Sequence, residues 1–157
     1  MAPLTPRDPA RRTLRWAAAL AVWVAVIWGH SLVQGPQSSA ESGLVVNLLA
    51  PAFGTLGVTD PDVMSLVVRK CAHFSEYAVL GILARGFFSA RATQTGRPPL
   101  PAGYLVALVP VADECLQLFV PGRSGQPTDV LIDLAGVLTG VLVSCAVARL
   151  LRARRAS

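Results

Sequence analysis

The sequence predicts an all-α, polytopic membrane protein with four transmembrane helices and a short interfacial or re-entrant segment after the first. Three observations carry that prediction. The 157 residues are 53% hydrophobic and 15% charged, with mean hydropathy +0.53, too apolar for an ordinary soluble domain of this length. Four runs, 14–34, 71–90, 102–120 and 129–151, approach the ~20 residues that a helix needs to cross a bilayer. The basic residues gather at the flanks of those runs, which makes the net charge of +5 a topology signal. No basic face interleaves with aromatics, so nucleic acid is not an expected partner.

In chain order, residues 1–13 read as a basic, disordered tail, and residues 14–151 as one membrane domain. Run 14–34 carries Trp16, Trp23 and Trp28. It exceeds the ~7–15-residue core of a signal peptide, so it reads as an uncleaved span. Residues 35–41 are turn-prone and read as a loop. Residues 44–58 are apolar but short and are interrupted by Pro51, Gly54 and Gly57; no regular span is expected there, only an interfacial or re-entrant segment.

Asp60-Pro61 is a helix start, because the carboxylate caps backbone N–H groups and a first-position proline sacrifices no hydrogen bond. That helix leads into run 71–90. Residues 91–101, rich in Gly and Pro, connect it to the third span, which Pro110 should kink. Pro121-Gly122 is expected to end the third span and Thr128 to cap the fourth. Residues 152–157 form a closing basic tail. Cys71, Cys115 and Cys145 have no paired spacing, so neither a disulfide nor a cysteine zinc site is expected.

Eleven of the fourteen basic residues fall on one side of a four-span arrangement, leaving Arg69, Lys70 and Arg123 on the other. The positive-inside rule makes the eleven-residue side, with both termini, cytoplasmic in a multi-pass plasma-membrane protein. Eight of the nine acids lie in the outer half. Acids weigh little in topology, so their segregation speaks to function.

At 100° per residue, Lys70, His73, Glu76 and Tyr77 share an arc of about 120° on the second span. Asp113, Glu114 and Gln117 lie within about 100° of one another on the third. Asp129, Asp133, Gly136 and Gly140 form one stripe on the fourth, whose glycines allow close helix packing. Ionisable groups at membrane depth are costly unless paired or reached by water, so three polar faces at one depth read as a site.

Each residue also has a plainer reading. His73 is either a satisfied interface histidine or a proton carrier or metal ligand oriented by Glu76. Lys70 is either a snorkelling cation or a partner for Asp113 or Glu114, or a charge for a phosphate. Arg123 is either an exposed loop charge or a bidentate anion clamp. Asp129 suits the positive end of the fourth helix, whereas Asp133 lies one turn deeper. Tyr77 and Phe119 are commoner as packing or interface aromatics.

Lys70-x-x-His73-Phe74-x-Glu76-Tyr77, then Asp113-Glu114-x-x-Gln117-x-Phe119-x-Pro121-Gly122-Arg123, then Asp129-Val130-x-x-Asp133-x-x-Gly136 closely resembles the VanZ-like family, over about residues 16–150. The resemblance implies a small bacterial membrane protein associated with resistance to teicoplanin, a glycopeptide that acts on outward-facing cell-wall precursors. Family members often carry His before the Gln of the second motif, where this chain has Leu116.

Two functional classes follow. A binder would hold membrane lipid or a lipid-linked cell-wall precursor at the outer leaflet and limit drug access, as the resemblance favours. An enzyme would hydrolyse or transfer a lipid-linked phosphate or ester, with His73, Glu76, Asp113 or Glu114 as catalytic candidates and Lys70 and Arg123 on the anion. No cofactor is expected; a divalent ion held by Glu76, Asp113 and Asp133 is a variant of the enzyme. No nucleophile elbow, HExxH or phosphate loop supports that class. A proton-coupled carrier would have the polar groups, but the chain lacks a repeat.

Overall fold

Five α-helices and no strand make up the described residues, 8–97, 103–123 and 125–156 of the computed structural model. Helix α1, Pro9–Ser31, starts where Asp8 accepts from the Ala10 amide at 3.0 Å. The expected tail is therefore helical from Pro9 onward.

Helix α2, Gly35–Thr55, corrects two expectations. Residues 35–41, expected as a loop, are its first two turns, and 44–55 continue as regular helix through Pro51 rather than as a broken re-entrant segment. A proline removes only one intrahelical hydrogen bond, and the Pro at the helix start presets its backbone. The apolar part, Ser42–Thr55, is too short to cross a bilayer.

Helix α3, Pro61–Thr95, begins as Asp60-Pro61 predicts, with the Asp60 carboxylate accepting from the Asp62 and Val63 amides. It ends at Gly96, whose N–H still makes a helical bond to the Ala92 carbonyl and whose φ of 66° then turns the chain out of the helix.

Helix α4, Gly103–Gln117, is shorter than expected. It stops before Pro121 because i→i+3 bonds from Phe119 and Val120 tighten its end. The returning loop also closes over it: a side chain at Gly125 would meet the Glu114 carbonyl at 2.6 Å. Helix α5, Pro127–Ala156, starts with proline in the first position, so Thr128 lies inside the helix and is not its cap. The helix runs through the expected closing tail.

The most extensive pairing joins α3 to α5. Backbone meets backbone there: added β-carbons at Gly81 and Gly140 would lie 2.1 Å from the Val137 carbonyl and 1.9 Å from the Ala78 carbonyl. Ile27, Tyr77, Leu80, Ala84 and Val106 form the apolar centre, joining α1, α3 and α4. Outside it the usual distribution is inverted. Leu131, Leu138, Leu142 and Leu150 along α5 are 58–66% exposed, while Asp113 and Asp133 have no exposure at all. Helices α1 and α5 are long and apolar enough to cross a bilayer.

Candidate functional site

The C-terminal end of α1, the third to fifth turns of α3, the end of α4 and the start of α5 lie at one end of the bundle. Helix direction brings them there, since α1 and α4 arrive where α3 and α5 depart. All three polar arcs meet at this end, though several of their partners differ from those that spacing suggested.

Lys70 forms its ion pair with Asp129, not with Asp113 or Glu114. Glu76 does not orient His73; its Oε1 lies 2.7 Å from His30 Nδ1, and its backbone carbonyl accepts from Trp23 Nε1 at 2.9 Å. His73 instead faces Asp133, with Nδ1 3.7 Å from Oδ1, too far for a hydrogen bond. Arg123 is not a bare loop cation: Nε and Nη2 each donate at 3.0 Å, to the carbonyls of Val33 and His30, tying the loop to the last turn of α1.

Glu114 is buried and its Oε2 accepts from the Gln126 amide at 2.7 Å, which fixes the segment leading into α5. Gln117 is equally enclosed, and its amide nitrogen stands 3.4–3.5 Å from Ser31 Oγ, Asp113 Oδ2 and Glu114 Oε1. Two amide hydrogens facing three acceptors leave at least one acceptor short of a donor. Tyr77 is wholly buried.

Among the described residues, the buried side-chain atoms without a hydrogen-bond partner are His73 Nδ1, Tyr77 Oη, Asp113 Oδ1 and both Asp133 oxygens. Native interiors satisfy nearly all such groups, so five on residues of one locality are unusual. His73, Asp113 and Asp133 each offer one donor atom within 4.8 Å of the others. Glu76, expected beside Asp113 and Asp133 in an ion-binding variant, faces His30 instead, and the donor atoms that lie together are those of His73, Asp113 and Asp133.

Two cavities flank His73. The smaller, about 90 Å³, is lined by Arg69, Lys70, His73, Gln117, Asp129 and Asp133 among others. The larger, about 200 Å³, is lined by His30, Ser42, Arg69, His73, Glu76 and Arg123 among others. Arg69 and His73 border both. Each has room for several waters or a small charged headgroup.

His30, Ser31, Arg69 and Gln126 belong to this end of the molecule but were not singled out from sequence. A signal existed for His30 and Ser31: they close an outward-running span and so reach the depth of the other polar groups. Cys71 and Cys115 are exposed, in keeping with their angular positions away from the polar arcs, and Cys145 accepts from Arg85 Nε at 3.0 Å.

The family model described as VanZ/LLP1 matches residues 16–149 of the chain. No curated protein and no solved structure matches it.

Proposed function

Because the chain belongs to the VanZ/LLP1 family, we propose that it is a multi-pass envelope protein whose polar end faces outward, binds the anionic headgroup of a lipid-linked component at the outer leaflet, and thereby lowers susceptibility to teicoplanin-type glycopeptides. In this arrangement α1, α3 and α5 cross the membrane, the fourth crossing is made by α4 together with the turns that extend it over 103–120, both termini are cytoplasmic and α2 lies along the outer interface. The exposed leucines of α5 then face lipid, and the buried carboxylates face the protein interior. Leu118 and Phe119, 65% and 85% exposed beside the site, suit the interfacial zone.

The observation that carries the binding reading is the larger cavity. Arg69 and Arg123 line it, and its acid, Glu76, already faces His30, so the balance of charge favours an anion. Guanidinium groups suit phosphate because their fixed fork matches its oxygens. The test is mass spectrometry of lipids that co-purify with the protein. Anionic lipid-linked species are expected with the wild type and should fall by ~10-fold or more in Arg69→Ala, the loss of ~1.5–3 kcal/mol that a charged hydrogen bond contributes. Equal recovery from both proteins would sink the reading.

Hydrolysis or transfer of a lipid-linked phosphate or ester is a second reading, favoured by the close approach of His73, Asp113 and Asp133 beside the smaller cavity. Turnover of extracted lipids by purified protein separates it from binding alone.

Orientation has its own test. In a cysteine-free background, an impermeant thiol reagent on intact cells should label Thr128→Cys and spare Thr95→Cys. Labelling at Thr95→Cys alone would reverse the topology and put the site in the cytoplasm. Ser124, in the outer loop by the same reading, lies outside the described residues.

In a susceptible host, expression of the protein is expected to raise the teicoplanin concentration needed to stop growth. Lys70→Ala, His73→Ala, Arg123→Ala and Asp133→Asn should abolish that effect, while Cys71→Ser and Cys115→Ser should retain it. Full protection by all four site variants at normal membrane abundance would make the cluster ordinary packing.

A further inference from the structure

Two buried carboxylates here have no committed counter-charge. Asp113 and Asp133 are wholly enclosed. Lys70 is held by Asp129, and Arg123 donates to the carbonyls of His30 and Val33. Carboxylates in a low-dielectric interior need pairing, protonation or a cation. His73 is the nearest basic group, yet its Nδ1 stops 3.7 Å short of Asp133.

We propose that His73, Asp113 and Asp133 bind a divalent transition-metal ion, Zn²⁺ or Mn²⁺, with one ligand from each of α3, α4 and α5. The donor chemistry fits: an imidazole nitrogen with two carboxylates suits these ions, whereas Ca²⁺ and Mg²⁺ prefer oxygen alone. The geometry fits as well. Donors on one tetrahedral ion stand ~3.3–3.6 Å apart when each bond is ~2.0–2.2 Å long. The three donor atoms lie within 4.8 Å of one another, so side-chain movement of about an ångström closes the set.

The orphaned atoms point to the same place. His73 Nδ1, Asp113 Oδ1 and the Asp133 oxygens lack hydrogen-bond partners among the described residues, a deficit that an ion bound by these three residues would satisfy. Tyr77 Oη is buried and unpartnered in the same locality. His73 and Asp133 also line the smaller cavity. An ion on these residues therefore faces a polar space on one side, where water or a phosphoryl or acyl oxygen has access to it.

The inference does not depend on the anion-binding reading, because metal uptake is measured on lipid-free protein in detergent. Purified protein is stripped with a chelator and titrated with Zn²⁺ and with Mn²⁺ by calorimetry, with bound metal counted by mass spectrometry. The wild type is expected to take up about one ion per chain. Asp113→Asn and Asp133→Asn should each weaken binding by more than ~100-fold, since even partners outside a ligand set cost ~10–100-fold. Glu76→Gln, whose side chain faces His30, should bind as the wild type does.

A ligand exchange covers the chance that a variant misfolds. His73→Cys loaded with Co²⁺ should show a thiolate-to-cobalt charge-transfer band that wild-type protein, with its three native cysteines, does not. No uptake by folded wild type, equal affinity in Asp113→Asn and Asp133→Asn, or an unchanged cobalt spectrum in His73→Cys would each overturn the assignment.

Discussion

Gly140→Ala is expected to lower the melting temperature of the purified protein more than any other single-methyl change in the chain. The added carbon would lie 1.9 Å from the Ala78 carbonyl oxygen and 2.8 Å from its carbon. Both are backbone atoms of α3, so no rotamer change relieves the overlap and the two helices must separate. Overpacking of this kind costs about 1–3 kcal/mol or more. Alanine's better helix propensity returns only about 1 kcal/mol.

Lipid supplies no hydrophobic drive to hold the helices together once close packing is lost. Gly29→Ala is the matched control, because nothing lies within 4 Å of its added carbon. Scanning fluorimetry in detergent should show a clear fall for the first and no fall for the second. Matching melting curves would mean the α3–α5 seam is looser than its geometry requires.

Asp113→Asn is expected to raise the melting temperature of the chelator-stripped protein while abolishing protection against glycopeptide. In a helix-by-helix reading, Lys70 or His73 would compensate Asp113, and the amide would strand a buried cation. Lys70's pairing with Asp129 removes that penalty. The change instead deletes one of two carboxylates whose donor atoms lie within 4.8 Å, and it supplies an N–H group where Asp133 lacks donors.

Satisfying a buried acceptor in this way contributes about 1–3 kcal/mol. Opposite signs for stability and activity mark a site held at a cost to the fold. A fall in melting temperature in the stripped protein would show that the Asp113 charge is already compensated there.

Much of this was legible in the sequence because it depends on local rules. Asp60-Pro61 starts a helix for reasons contained in two residues, and Gly136 and Gly140 share a face by periodicity alone. What eluded the sequence was pairing between helices. The spacing of His73 and Glu76 puts both on one broad arc of α3, but their neighbours depend on how α1 and α5 are rotated and how deep they sit. Glu76 therefore meets His30, and His73 meets Asp133.

Local breakers were also overweighted. Pro51 and the glycines of α2 suggested an interrupted segment, yet the losses they impose are small beside the propagation of a 21-residue helix. At α5 two local signals competed, and proline's fixed φ at the first position prevailed over a threonine cap.

The glycine seam also orders events during synthesis. Ala78 and Gly140 are far apart in the chain, so α3 has no partner for its closest contact until α5 has been made. At ~5–20 residues per second, the twenty-seven residues that follow Asp113 up to Gly140 take ~1–5 s to be made. During that interval Asp113 and Glu114 lack the enclosure that α5 and its leading loop provide. On the multi-pass reading proposed above, the nascent chain passes through a stage in which these acids lack their enclosure, and docking of α5 is the step that ends it.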